Sequence, residues 1–298
     1  MNVLNDRRHK LLAQAAETTI LQGQLDHMPR ERARGDFLIP NAMPQNIYRE
    51  HISRYEFAAS LTRNKVVLDI ACGAGYGSSF LKKKGAKMVV GGDVNRDAVE
   101  YAKEHYKGEE LVFLRLDAMN LPFSKSTFDV IVSFETIEHL KDNRRFLSAC
   151  KEVLKKNGLF ICSTPNSLVT LSDLGRPLNP FHVHEFTVKE FFDLLSEYFR
   201  YVNIYVQDFL TLRQIIMYKL YGSGTRFLSL TFMGRKIRDI IWEKSMNLKN
   251  LMWKKKAMAS SSFLSIKKPL CARYRVKPFK NNRTRLLRVA HIIAISKK

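Results

Sequence analysis

The chain has 298 residues, 45% hydrophobic and 26% charged, and a net charge of +22. That composition belongs to a folded protein of one or two domains and excludes a largely disordered one. No uncharged apolar run reaches the roughly 18 residues that a membrane-crossing helix needs. The opening "MNVLNDRRHKLLAQAAETTI" is too broken by charge for a secretory signal. The four cysteines, Cys72, Cys150, Cys162 and Cys271, form no C-x-x-C pair. Neither a disulfide frame nor a zinc site is therefore expected, and the thiols fit a reducing cytoplasm.

The charge is unevenly placed. From Asp208 to Lys298, 22 Lys and Arg stand against three acids, a net +19; the rest carries 28 against 25, a net +3. A polycation this concentrated predicts an anionic partner: phospholipid headgroups, nucleic acid or a phosphorylated substrate.

In chain order, residues 1–55 read as a polar helical segment interrupted by prolines between Pro29 and Pro44. "RYEFAASLT" reads as a helix and "KVVLDIAC" as a buried strand. "YGSSFLKKKG" is a helix ending at Gly85, and "KMVVGGDV" a second strand. "NRDAVEYAKEHYKG" is a helix with Asn95 as N-cap. "LVFLRLDA" and "FDVIVSFE" are the third and fourth strands. "DNRRFLSACKEVLKKNG" is a helix with Asp142 near its start, lysines in its last turn and Gly158 beyond it. "LFICSTPN" is a fifth strand, "TVKEFFDLLSEYF" a helix, "YVNIYVQD" a strand, and 286–296 within "RVAHIIAISKK" a closing strand.

Strands alternating with helical patterns of 10–15 residues predict a doubly wound, mostly parallel α/β sheet. Its domain would comprise 56–206 and 284–298, with 1–55 a helical lid. Residues 207–283 would form a basic helical insertion or cap before the last strand, with helices at "LTLRQIIMYKLYG" and "RKIRDIIWEKSMNLKNLMWKKK".

Ligands of such sheets bind beyond the C-terminal ends of the strands. The turn "DIACGAGYG" is not the dinucleotide fingerprint G-x-G-x-x-G, because the sixth position counted from Gly73 is Ser78. Asp69 ahead of the glycines would repel a diphosphate and suits a positively charged ligand. Gly73 and Gly75 would let that ligand approach the backbone. Asp93 closes the second strand, where a carboxylate takes ribose hydroxyls. Asp117 closes the third, where it would accept from an exocyclic amine, with Ala118 supplying a backbone N–H. An amino-acid end, a ribose and an adenine without phosphate describe S-adenosylmethionine.

"VLDIACGAGYG", "GGDVNRDAVEYAK", "LRLDAMNLPFSKSTFDVIVSFETIEHL" and "LKKNGLFICSTPN" resemble, in order and spacing, the class I S-adenosylmethionine-dependent methyltransferases, in the broad subgroup of quinone, surface-glycan and glycolipid enzymes. The resemblance covers about residues 50–206. It implies a Rossmann-like fold, with Asp69, Gly73 and Gly75 at the methionine end, Asp93 on the ribose, Asp117 and Ala118 on the adenine, and Glu135 beside the sulfonium. It also implies that the region before the first strand is a lid, which makes His51, Arg54 and Tyr55 acceptor-site candidates, and that "STPN" borders the acceptor, which adds Asn166.

"ETIEHL" sets Glu135, Glu138 and His139 at i, i+3 and i+4, one face if helical, and "FHVHEFT" offers His182 and His184. One reading makes His139 or His184 a general base. Another makes Glu135, Glu138, His139 and a later histidine, His184, a site for magnesium or manganese, as a similar E-x-x-E-H run with a later His does in small-RNA 3′-end methyltransferases. A third has Glu138 and His139 only shaping the pocket.

The sequence therefore predicts an S-adenosylmethionine-dependent methyltransferase that O-methylates a small-molecule, glycan or lipid-linked acceptor. It is expected in the cytoplasm, peripheral to the inner face of an anionic membrane through 207–283. The rivals are an RNA methyltransferase, for which no aromatic stacking platform is apparent, and a cofactor-binding adaptor without turnover.

Overall fold

The computed structural model describes residues 45–170, 177, 179, 181–209, 277–278 and 289–298. Helix α1 (Gln45–Thr62) leads into strand β1 (Val66–Ile70), α2 (Tyr76–Lys83), β2 (Met88–Asp93), α3 (Arg96–His105), β3 (Leu111–Arg115) and β4 (Phe128–Phe134). A single 3₁₀ turn (Ile137–His139) precedes α4 (Asn143–Val153), β5 (Leu154–Pro165), the short α5 (Ser167–Thr170), α6 (Val188–Ser196), β6 (Tyr201–Phe209), β7 (Lys277–Pro278) and β8 (Val289–Lys297).

The eight strands lie in the order β3-β2-β1-β4-β5-β8-β6-β7. Strands β3 to β5 pair in parallel, and β8 runs antiparallel between β5 and β6. Strand β1, "VVLDI", is buried at every residue, as expected of a central parallel strand covered on both faces. Ile52, Tyr55, Ala58 and Leu81 cover one face, and Phe146, Leu147, Phe191 and Leu195 the other. The helix starts follow from side-chain chemistry. Asn95 Oδ1 accepts from the N–H groups of Asp97 (2.9 Å) and Ala98 (3.2 Å), and Thr187 and Glu190 form a reciprocal capping box at α6.

Three expectations change. The helix at "DNRRFLSACKEVLKKNG" stops at Val153, because Leu154 is fully buried and Lys155 reaches Asp129 on β4 (Nζ to Oδ1, 2.7 Å). Lys155, Lys156 and Gly158 therefore belong to β5. Helix α1 runs through the boundary drawn at residue 55, so the lid and the sheet domain share one helix. Strand β6 continues to Phe209, and Lys277–Pro278 pairs with Tyr205 and Val206, so part of 207–283 extends the sheet. The two helices expected in that segment, Trp242 and Trp253 among their residues, and residues 1–44 lie outside the described residues.

Candidate functional site

The parallel strands deliver their last residues to one edge of the sheet. After β1 the backbone turns left-handed at alternate positions: Ala71 (φ 58°), Gly73 (φ 54°) and Gly75 (φ 79°). The Gly73 N–H donates to Asp93 Oδ2 and the Asn95 N–H to Asp93 Oδ1, each at 2.8 Å, so the carboxylate at the end of β2 clamps the loop. Burial pushes the Asp93 carboxyl up, and these N–H groups oppose the shift. The glycines serve different ends. A Cβ on Gly73 would meet nothing within 4 Å, so space opens above it. A Cβ on Gly75 would lie 2.6 Å from Ala102 Cβ and 2.7 Å from the Phe113 ring. Gly75 thus lacks a side chain because α3 and β3 fill the place one would take.

Asp69 is fully enclosed beneath this loop. It accepts from Ser78 Oγ (2.6 Å) and Tyr55 OH (3.2 and 3.3 Å), which ties the lid helix to β1. Burial pushes its carboxyl up to about 7 despite these two donors. Asp117 is half-buried and accepts from the Met119 N–H at 2.9 Å; Ala118 packs on the core beside it.

Glu135 follows β4 in left-handed backbone (φ 53°). It joins a polar hub that sequence reasoning saw only in part. Its Oε1 accepts from Ser163 Oγ (2.6 Å) and lies 4.0 Å from Arg54 Nη1, and its Oε2 is 3.3 Å from His291 Nε2. Glu50 Oε1 lies 3.5 Å from Arg54 Nη1 and 3.3 Å from His291 Nε2. Arg54 Nη1 donates to Gln207 Oε1 at 2.8 Å. Arg54 is wholly enclosed, yet its Nε and Nη2 have no partner, and neither does the buried Nδ1 of His291. An unpaired Nε–Nη2 edge is the fork that binds a carboxylate side-on. Burial raises the Glu135 carboxyl, but His291 and Arg54 outweigh it and hold the group well below the usual carboxylate range. The one signal for His291 was a lone imidazole in the apolar run "VAHIIAI".

The E-T-I-E-H-L run is not a helix. Glu135 is left-handed and only Ile137–His139 form a 3₁₀ turn, so the expected i, i+3, i+4 face does not exist. Instead the Glu138 carbonyl accepts from the N–H groups of Val183 (2.7 Å) and His184 (3.2 Å), which draws "FHVHEF" against the turn. This gathers Glu138, His139 and His182, whose ligand atoms lie within 4.8 Å of one another. Glu135 and His184 stand outside the cluster: Glu135 faces the Arg54 hub, and His184 is exposed against the Phe186 ring. His139 Nδ1 is 3.1 Å from the Phe181 carbonyl, which turns Nε2 toward Glu138 Oε1 at 4.0 Å. Glu138 is fully buried, with Oε1 unpartnered. Burial, then Glu135, raises its carboxyl well above the ordinary range.

Of the acceptor candidates, His51 contacts Tyr76 OH through Nδ1 at 2.9 Å, and burial lowers its pKa to about 3. Tyr55 is spent on Asp69. Asn166 is fully enclosed, its Oδ1 accepting from the Leu168 N–H at 3.3 Å, so it shapes the turn into α5. All three acceptor candidates are thus bonded within the fold.

Comparisons with known proteins agree with the fold. Residues 68–162 match the family described as a methyltransferase domain. A "Probable S-adenosylmethionine-dependent methyltransferase" of Mycolicibacterium smegmatis is 33% identical over 163 residues, 54% of this chain and 62% of its own. A ubiquinone biosynthesis O-methyltransferase of Cereibacter sphaeroides is 37% identical over 102 residues, 34% of this chain and 41% of its own. The chain thus spans about three-fifths and two-fifths of these curated relatives. A crystal structure of a SAM dependent methyltransferase from Archaeoglobus fulgidus shares the fold at TM-score 0.50 and 18% identity, covering 90% of this chain and 97% of its own. These similarities support a class I S-adenosylmethionine-dependent methyltransferase domain, with S-adenosylmethionine as the cofactor they imply.

Proposed function

We propose that the chain transfers the methyl group of S-adenosylmethionine to an oxygen of a small-molecule, glycan or lipid-linked acceptor. The observation that carries this reading is the pairing of open space above Gly73 with the buried, unpartnered Nε–Nη2 edge of Arg54. Together they suit a ligand that lies against backbone and carries a carboxylate. Arg54 would hold that carboxylate. Asp93 would take the ribose hydroxyls, and Asp117 with Ala118 would take the adenine. Asp69 would act through Tyr55, which ties the lid helix to β1.

The cofactor supplies an electrophilic methyl, so the protein need only align the acceptor, exclude water and accept a proton. Alignment alone removes roughly 7–11 kcal/mol of barrier in favourable cases. The acceptor class draws support from relatives named for ubiquinone O-methylation and for phthiotriol/phenolphthiotriol dimycocerosates methylation. The +19 segment adds to it, since it would bring the site to an anionic surface. No helix of the described residues is long and apolar enough to cross a membrane.

A metal-assisted reaction, on RNA or on a small acceptor, is the second reading. The cluster of Glu138, His139 and His182 favours it, since one carboxylate and two imidazoles suit a divalent cation, which would displace the Asn179 amide from His182 Nε2.

The deciding experiment combines calorimetry against S-adenosylmethionine and NAD with transfer of methyl label into fractionated cell extract. Binding of the methyl donor and label in lipid or polysaccharide support the reading. Label in RNA moves the assignment to the second reading, and tight NAD binding without donor binding removes both.

A further inference from the structure

We propose that His291 is the proton acceptor for the hydroxyl being methylated, oriented by Glu50 and Glu135; this rests on the methyltransferase reading above. Strand β8 is antiparallel to both neighbours, and His291 pairs with Pro165 of β5 and Gln207 of β6. That register brings an imidazole from near the chain's end to the edge where β4 delivers Glu135.

His291 Nε2 lies 3.3 Å from Glu50 Oε1 and 3.3 Å from Glu135 Oε2. Two carboxylates on one ring nitrogen fix the tautomer with the proton on Nε2, as a carboxylate does for a histidine base elsewhere. The lone pair is then on Nδ1, which is buried and has no partner. A buried polar atom without a partner costs about 1–3 kcal/mol, and an acceptor O–H donating to it removes that cost.

The other described histidines of this edge are worse placed. His51 is held to Tyr76 OH. His139 Nδ1 is engaged by the Phe181 carbonyl. His182 has both nitrogens engaged, by Asn179 and Glu185. His184 is at the surface. The charged and titratable groups around His291 are Glu50, His51 and Arg54 from α1 and Glu135 after β4. Burial lowers the His291 pKa, but Glu135 and Glu50 outweigh it and hold it above the ordinary histidine value.

The balance closes without a further reactant. The acceptor O–H bond breaks and its proton goes to Nδ1. The O–C bond forms, the C–S bond breaks, and its electron pair stays on sulfur. One positive charge leaves sulfur as one appears on the imidazole, so the site's charge does not change. A sulfonium beside Glu135 should therefore disfavour protonated His291, and its neutral product should favour it.

The test is histidine-selective ¹⁵N NMR on the full chain, with S-adenosylmethionine and S-adenosylhomocysteine as the two probes and His291→Gln to assign the signal. The expected result is the neutral Nε2–H tautomer with S-adenosylmethionine, and a titration midpoint higher by about one pH unit or more with the homocysteine product. An Nδ1–H tautomer, or the same midpoint with both probes, overturns the proposal. Methyl-label transfer into fractionated cell extract should fall about 100-fold or more in His291→Gln, with donor affinity held within about threefold. Loss of donor binding together with transfer overturns it in favour of a structural role. A wild-type protein that binds no donor removes the methyltransferase reading as well. Wild-type transfer by His291→Gln removes this inference alone.

Discussion

The Tyr55 ring fills the place that a side chain on Gly77 would take: a Cβ there would lie 1.9 Å from Tyr55 Cζ. The same tyrosine donates to Asp69, so lid helix, glycine loop and β1 interlock at one point. Gly77→Ala should expel the ring and destabilise the protein by about 1–3 kcal/mol, the scale of overpacking. Gly73→Ala has room but a left-handed backbone (φ 54°), and should cost about 1–2 kcal/mol while weakening the methyl donor more than Gly77→Ala does. Urea denaturation and calorimetry on both variants check this; equal losses of donor affinity would count against open ligand space above Gly73.

The pH dependence of stability should carry the mark of Asp69. Burial raises its carboxyl from the ordinary 3.8 to about 7. A carboxyl raised on folding stabilises fully below its unfolded value, and that contribution is lost as pH rises through the folded one. The loss should thus fall between about pH 4 and 7 and amount to something on the order of 4 kcal/mol. Asp69→Asn keeps an oxygen for Ser78 and Tyr55 but cannot ionise. The stability difference between variant and wild type should shift in the variant's favour from pH 4 to pH 8 without added cofactor, measured by denaturant titration. A difference flat with pH removes the assignment.

Most of the sheet was legible because buried parallel strands announce themselves: "VVLDI" and "MVVGGD" have almost no other use. The acids at the strand ends were legible for the same reason, since fold and loop chemistry place them. The end of α4 was not, because Lys155 and Lys156 look like a helix terminus until Asp129, 26 residues earlier in the chain, draws Lys155 into a strand. The E-x-x-E-H run misled through its spacing: helical periodicity means nothing where Glu135 is left-handed. The hub of Glu50, Arg54, Glu135, Gln207 and His291 joins residues up to 241 positions apart, and no local pattern encodes it. His182 replaced His184 for a similarly non-local reason, since both backbone N–H groups on the Glu138 carbonyl decide which ring turns inward.

Metal binding has a direct readout in calorimetry with manganese and magnesium. If Glu138, His139 and His182 form a site, His139→Ala and His182→Ala should each lose the binding heat, and His184→Ala should keep it. Chelation should then slow label transfer, with added metal restoring it. No heat in the wild type and no effect of chelator leave Glu138 as the anchor that holds residues 183–184 through its carbonyl.

The last expectation concerns the basic segment. Its +19 is set against +3 for the remainder, and Trp242 and Trp253 stand among its lysines and apolar residues, a composition suited to a membrane interface. Each basic residue near an anionic leaflet contributes about 1 kcal/mol, and the attraction fades within a Debye length of roughly 8–10 Å. A few of the 22 basic residues therefore suffice for reversible attachment. Such attachment would present a lipid-linked acceptor to the edge where Arg54, Glu135 and His291 meet. Co-sedimentation with phosphatidylserine-containing and pure phosphatidylcholine vesicles, at low and high salt, is the measurement. Binding should require the anionic lipid, weaken with salt, and drop when Lys254, Lys255 and Lys256 are changed together to glutamate. Donor binding should survive that change, because the cofactor contacts proposed here lie in α1 and the strand ends. Tighter binding to RNA than to anionic vesicles, with methyl label in RNA, would transfer the segment to the second reading. Binding to neither leaves its charge to serve the acceptor alone.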